Sequence, residues 1–266
     1  MIIVWILALA ALALAIYLLL VMPRLPRRDI SHLTGVDYAH RGLWNAELPE
    51  NSLAAFRNAV EHGYGMELDV HITADDQLVV FHDDSLLRMC GVDRKITECT
   101  LSELRQLRLK GTEETIPTFD EVLDLVAGRR PLIIEVKHNR RMDLLCSKVW
   151  ERLKRYEGPF CVESFNPLAM RWFKRHAPQV IRGQLAEGVK GKRPLLAHLM
   201  AALVGNVASR PDFIAYDALS DRNRTMALMR RLRPWLVCWT VRSPQQMEEC
   251  RARFDLQIFE GFLPKR

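Results

Sequence analysis

Glu67 and Asp69 stand two residues apart in a short apolar stretch, Met66 to Val70. In an extended strand that spacing turns both carboxylates to one face. Glu135 and Lys137 repeat the spacing after Leu132-Ile133-Ile134, with an amine in place of the second acid. Three carboxylates from two strands make a hard oxygen donor set suited to Mg²⁺ or Ca²⁺. Taken alone, either pair reads more readily as a salt bridge at a strand end, such as Glu135 with Lys137. His40-Arg41-Gly42 and His82-Asp83-Asp84 each follow a candidate strand. Imidazoles titrate near neutral pH, so the two can supply a general base and a general acid. The planar fork of Arg41 suits a phosphate. A lone histidine is more often structural than catalytic. Pro49-Glu50-Asn51-Ser52 also reads as a helix start, with Asn51 or Ser52 as the cap.

The elements that would position these groups alternate in type. Candidate strands lie at 36–39, 66–70, 78–81, 132–136, 160–163, 180–185, 213–216, 236–241 and 257–259, and candidate helices at 52–62, 102–107, 119–127, 142–156, 167–176, 193–204, 221–231 and 244–253. Strands alternating with helices imply a parallel sheet, and a domain of this size with about eight such units implies a TIM (β/α)₈ barrel. The nine strands exceed the eight of a barrel by one, so one is false or lies outside it. Residues 71–77 between the second and third strands are too few for a crossover helix. A hairpin is the default there, and an extended loop returning to the other end of the barrel is the alternative.

The chain has 266 residues, 49% of them apolar, and a net charge of +6. This composition excludes a disordered chain, a fibrous repeat and a polytopic membrane protein, and the charge is no nucleic-acid footprint. Basic clusters at Arg171, Lys174 and Arg175, at Lys190, Lys192 and Arg193, and at Arg230, Arg231 and Arg233 read as solvated faces; the sharper alternative is a surface resting on anionic lipid. The six cysteines show no metal-binding spacing and read as free thiols in a reducing compartment. Residues 2–22 are uncharged and apolar. At ~1.5 Å per residue they reach about 31 Å, enough to cross a bilayer core. A signal peptide would show basic residues ahead of a shorter apolar run. Arg24, Arg27 and Arg28 follow the run and no basic residue precedes it, which orients the C-terminal side toward the cytoplasm. The division expected is therefore an anchor and proline-stiffened linker over 1–28 and a barrel domain over 29–266.

Taken together, Ala39-His40-Arg41-Gly42, Pro49-Glu50-Asn51-Ser52, Glu67-Leu68-Asp69-Val70, Val79-Val80-Phe81-His82-Asp83, Leu86-Leu87-Arg88, Ile116-Pro117-Thr118-Phe119, Ile134-Glu135-Val136-Lys137, Ser164-Phe165-Asn166 and Trp239-Thr240-Val241 occur in an order and spacing that resembles the glycerophosphodiester phosphodiesterases. The resemblance runs from about Tyr38 to Val241. It implies a TIM-barrel hydrolase in which Glu67, Asp69 and Glu135 hold a divalent metal, His40 and His82 form the acid/base pair, and Arg41 and Lys137 contact phosphate. It implies that 84–115 is a small insertion over the mouth of the site. It also implies that His82 shares a barrel end with Asp69, which favours the loop crossover over the hairpin. The nucleophile would be water or the free glycerol hydroxyl, the latter through a cyclic phosphate, and neither acid nor base role falls to a particular histidine. The family usually closes with a strand and Thr-Asp-x-Pro; Phe259-Glu260-Gly261-Phe262 stands here, so the last strand offers no Thr-Asp contact. The activity implied is metal-dependent hydrolysis of glycerophosphodiesters to glycerol phosphate and an alcohol. Two other readings stand beside it: a lysophospholipase D-like enzyme on membrane lysophospholipids, and an inactive membrane-anchored binding protein.

Overall fold

The alternation that puts Glu67 and Asp69 on one face of a strand puts Met66, Leu68 and Val70 on the other, and all are buried. A strand buried on both faces needs a helix layer outside and a filled interior inside. The computed structural model, which describes residues 1–189 and 191–265, supplies both. Lys190, part of one basic cluster, and Arg266, the end of the expected barrel domain, lie outside the described residues.

The strands are β1 (Tyr38–Ala39), β2 (Gly65–Ile72), β3 (Leu78–Val80), β4 (Leu132–Val136), β5 (Phe160–Ser164), β6 (Arg182–Ala186), β7 (Phe213–Asp217), β8 (Trp235–Val241) and β9 (Leu256–Phe259). All pair in parallel except β3, and β1 pairs with both β2 and β9. Eight parallel strands thus close into a TIM-type barrel, and β3 is the ninth, outside it.

The outward faces of the strands pack on helices through Phe56 and Ala59, Phe119 and Val122, Leu145 and Val149, Met170 and Phe173, and Met226 and Met229. The lower interior is apolar, filled by Tyr38, Ile133, Cys161, Phe213, Val237 and Ile258, and its base is closed by Ile30 and Leu33. Gly183 makes room for the Phe213 ring: a Cβ there would stand 2.1 Å from it. Above this plug the interior turns polar, and the chemistry is built there.

The link over 71–77 corrects one expectation. It is a hairpin: Thr73 N donates to Gln77 O, and β2 pairs antiparallel with β3 from Ile72↔Leu78 to Val70↔Val80. His82 nevertheless stays at the Asp69 end. β2 is long enough to run past the barrel rim, so the hairpin returns only as far as the rim, where Phe81 N donates to Asp69 O. A hairpin and a shared barrel end exclude each other only if the second strand runs back the full height. The insertion then folds on its own small core, Leu86, Met89, Ile96, Leu104 and Leu109 packed against Val79 and Phe81.

The helix Ile2–Val21 is long and apolar enough to cross a membrane and is exposed along most of its length. Its last turn docks: Asn206 Nδ2 donates to Val21 O, and Arg210 donates to the carbonyls of Leu19 and Met22. The linker continues as a strap across the barrel base. Arg28 pairs with Asp212 at 2.8 Å and donates to the carbonyls of Pro178 and Val180. The Arg27 guanidinium lies 3.3 Å over the Trp235 ring. All six cysteines are free thiols, and five are buried.

Candidate active site

Each inward position near the top of β2 and β4 is polar. Glu67 and Asp69 come from β2 and Glu135 from β4, where Asp69 and Glu135 are register partners. Ligand oxygens of the three lie within 4.8 Å of one another. Lys137, the next inward position of the β4 strand, brings Nζ to 2.8 Å from both Asp69 and Glu135. The loop after β1 is bent by two left-handed residues, Arg41 at φ +58° and Gly42 at φ +79°. A Cβ on Gly42 would meet Ala55 at 3.0 Å, so the turn lets the helix Leu53–Glu61 sit against the strand end. The bend aims Arg41 N at Glu67 Oε2, 3.0 Å away. The two candidate caps divide the work. Ser52 Oγ accepts from Ala55 N and caps the helix, while Asn51 Nδ2 donates to Asp69 at 2.8 Å.

Burial sets the charge state of this cluster. It pushes the Glu67 carboxyl well above its ordinary range and Glu135 to about 7. Asp69 is equally buried, but Lys137, His82 and Arg41 hold it far below the usual carboxylate range. Glu163, the register partner of Glu135 on β5, is 1% exposed, and its Oε2 has no hydrogen-bond partner. Four buried carboxylates face two cations, Arg41 and Lys137, and burial raises Glu67, Glu135 and Glu163, so fully ionised the cluster would carry two negative charges more than these cations balance. That surplus matches one divalent cation, and carboxylate oxygens are the donors such a cation takes. The residues present therefore fit a divalent metal held by Glu67, Asp69 and Glu135.

His40 and His82 flank the cluster with the same design. His40 Nδ1 donates to Glu260 at 2.5 Å, leaving Nε2 on the side of Glu67, 3.9 Å away. His82 Nδ1 pairs with Asp83 at 2.7 Å. Burial lowers the pKa of both imidazoles, so both are poised neutral near pH 7. In each, the carboxylate at Nδ1 fixes the tautomer and ring orientation.

All seven residues anticipated from the sequence meet at this one mouth. Three further groups do as well. Glu260 follows β9 where the Thr-Asp pattern is missing. It supplies the polar contact from the last strand after all, and Arg242 donates to its other oxygen at 2.7 Å. Burial would raise the Glu260 carboxyl, but the bond from His40 and the charge of Arg242 hold it at about 2. Glu163 was concealed because it sits alone in an apolar strand. Arg88, from the insertion, ties Asp83 at 2.6 Å to Glu50 at 2.6 Å, and Glu50 in turn accepts from Arg41 at 2.7 Å. The only sequence signal for that tie was the motif Leu86-Leu87-Arg88.

Glu260 acts through His40, and its replacement has two expected signatures. Glu260→Gln should lower kcat by roughly 10–10²-fold, less than the ~10²–10⁴-fold of a whole general acid–base contribution, because the imidazole itself remains. The carboxylate raises the His40 pKa, so its loss should also move the limb of the pH–rate profile that His40 governs to lower pH. A purely structural role would lower activity without moving that limb.

Comparison with known proteins follows this geometry. The model of the glycerophosphoryl diester phosphodiesterase family matches residues 40–253. A glycerophosphodiester phosphodiesterase of Caldanaerobacter subterraneus is 35% identical over 158 residues, covering 55% of this chain and 65% of that one. The human lysophospholipase D GDPD1 is 36% identical over 154 residues, covering 53% of this chain and 48% of that one. The match thus spans about half to two thirds of the length of these relatives. Among solved structures, a phosphodiesterase of Oleispira antarctica in complex with the product sn-glycerol-3-phosphate superposes with a TM-score of 0.74 at 23% identity, over 88% of this chain and 95% of that one, a likeness of fold. With the family model matched over most of the barrel, the chain belongs to the glycerophosphoryl diester phosphodiesterase family.

Proposed function

We propose that this protein hydrolyses glycerophosphodiesters to glycerol phosphate and an alcohol, with His40 and His82 as the proton-transfer pair. One observation carries the reading. Two imidazoles, each braced at Nδ1 by a carboxylate, face a buried carboxylate cluster flanked by Arg41 and Lys137. A divalent cation held by Glu67, Asp69 and Glu135 would supply positive charge to a phosphate oxygen. Arg41, drawn toward the cluster by its own backbone bond to Glu67, presents a planar fork to the same phosphate. Lys137 adds a fixed positive charge where negative charge develops. One imidazole takes the proton of the nucleophile, a water or the neighbouring glycerol hydroxyl. The other, entering the step as the imidazolium that its Nδ1 carboxylate stabilises, delivers its Nε2 proton to the departing alkoxide. The carboxylates of Glu260 and Asp83 stabilise whichever ring becomes cationic.

The apolar helix is read as a membrane anchor, with Arg24, Arg27 and Arg28 keeping the barrel on the cytoplasmic side. The test of the activity is direct: the full chain, given Mg²⁺ or Ca²⁺, should release glycerol phosphate and choline from glycerophosphocholine. A protein inert toward diesters with choline, ethanolamine and glycerol headgroups, with and without an acyl chain, would instead be a binding protein.

A further inference from the structure

The helix Ile2–Val21 has the length of a bilayer core with nothing to spare. Its 20 residues reach about 30 Å at ~1.5 Å each, against roughly 30 Å of hydrocarbon. Its last turn, however, is packed on the barrel. Tyr17 lies on the apolar layer outside the strands, Val21 is fully buried, and Asn206 and Arg210 hold the carbonyls of Val21, Leu19 and Met22. Residues 2–16 are exposed, and they amount to about 23 Å of helix. That part alone falls short of a bilayer core. A helix that spans from this docking point therefore draws the flank of the barrel that holds it to the membrane surface.

That flank presents apolar side chains. The connection from β6 to β7 contains the helix Leu195–Ala201, in which no residue is buried. Leu195, Leu196 and Leu199 are 73%, 68% and 40% exposed, and Leu168 and Val207 are exposed as well. An exposed apolar patch of this kind marks a surface that meets lipid or an apolar partner. Its place in the fold is fixed by Gly205, where a Cβ would stand 2.7 Å from the Pro167 ring. Pro167 opens the helix that follows β5, so this contact lies at the catalytic end of the barrel. Asn206, the next residue, is the one that holds Val21. The leucine helix and the docked turn are thus close in the chain and belong to one flank.

We infer that the helix Leu195–Ala201 is a second membrane contact, whose leucines enter the bilayer interface beside the spanning helix and hold the catalytic end of the barrel against the lipid. The inference rests on the reading of Ile2–Val21 as a membrane anchor. Helices that lie in an interface seat their apolar side chains roughly 5–10 Å into the boundary between headgroups and acyl chains. A single spanning helix leaves its domain free to swing, whereas two contacts on one flank fix how the mouth is presented to the membrane.

The test uses the full chain carrying Cys90→Ser, which removes the one thiol that is not buried, reconstituted in phosphatidylcholine vesicles. A fluorophore that brightens and shifts to the blue in lipid is attached to Leu196→Cys, to Leu9→Cys in the apolar helix, or to Glu61→Cys, exposed at the base end of the helix Leu53–Glu61. Lipids with a nitroxide high on the acyl chain should quench the label at 196 about threefold or more over the label at 61, as expected for a side chain seated in the interface. Adding Leu195→Glu and Leu199→Glu should bring quenching at 196 down to the level of 61. Quenching at 9 should persist, and glycerophosphocholine turnover should stay within about twofold, because both leucines are exposed and outside the catalytic mouth. Quenching at 9 with none at 196 overturns the inference and leaves the anchor standing. A label at 196 that shifts to the blue without quenching is covered by a second copy of the chain, which also overturns it. So does equal quenching at 196 and 61, since the barrel would then lie on lipid without a preferred face. No quenching at 9 overturns the anchor reading itself.

Discussion

Chelation of divalent cations should abolish turnover, and Glu67→Gln, Asp69→Asn and Glu135→Gln should each lower kcat/KM by about 10³-fold or more, the equivalent of several kcal/mol of charge stabilisation. The fold should survive all three. Glu67 and Glu135 are already pushed up by burial among like charges, so removing one of those charges relieves repulsion and does not break the core. Stability separates the two effects. Adding Mg²⁺ or Ca²⁺ should raise the Tm of the unaltered protein by mass action, and the gain should shrink or vanish in the three variants. Variants that stay fully active in excess chelator would show that these carboxylates hold no catalytic metal.

His40→Ala and His82→Ala should each lower turnover by about 10²–10⁴-fold while metal binding persists. Neither ring is needed to hold the carboxylate cluster together: Asp69 is held by Asn51, and Asp69 and Glu135 by Lys137. Each is needed only when a proton moves. A nitrophenyl phosphodiester has a leaving group that departs without protonation. It should restore the variant that lacks the acid and leave the other impaired, which assigns the roles. Equal restoration of both variants, or of neither, would sink the division of labour. Because burial holds both imidazoles below their ordinary pKa, the acid limb of the unaltered protein should lie below pH 6.5.

The parts of this site that could be read from sequence share one property: their positions follow from periodicity. Glu67, Asp69, Glu135 and Lys137 sit at alternate positions of strands, and the pleat alone sends them to one face. Barrel closure then sends that face inward. The histidines were legible as strand-end residues, but the route to His82 was not. Deciding between a hairpin and a crossover required knowing that β2 overshoots the rim, and strand length is poorly marked where the flanking residues are also apolar or β-branched, as Ile72 and Thr73 are. Glu260 was hidden for a different reason. It departs from the expected Thr-Asp pattern in residue type, and its value lies in a contact with His40, 220 residues earlier in the chain. No local pattern encodes a pairing at that distance. Arg88 and Glu50 likewise meet only because the insertion folds back over the first loop.

That fold-back limits how this barrel can be re-engineered. Insertions over barrel mouths invite exchange, since they carry their own small core and leave the eight strands untouched. Here a graft that kept the strands and replaced 84–115 would remove Arg88, whose guanidinium joins Asp83, the brace of His82, to Glu50, the brace of Arg41. The donor loop would have to bring a cation to that same point, or the recipient would keep its architecture and lose the alignment of His82 and Arg41 together. The insertion is thus a keystone in the catalytic mouth and not an interchangeable lid.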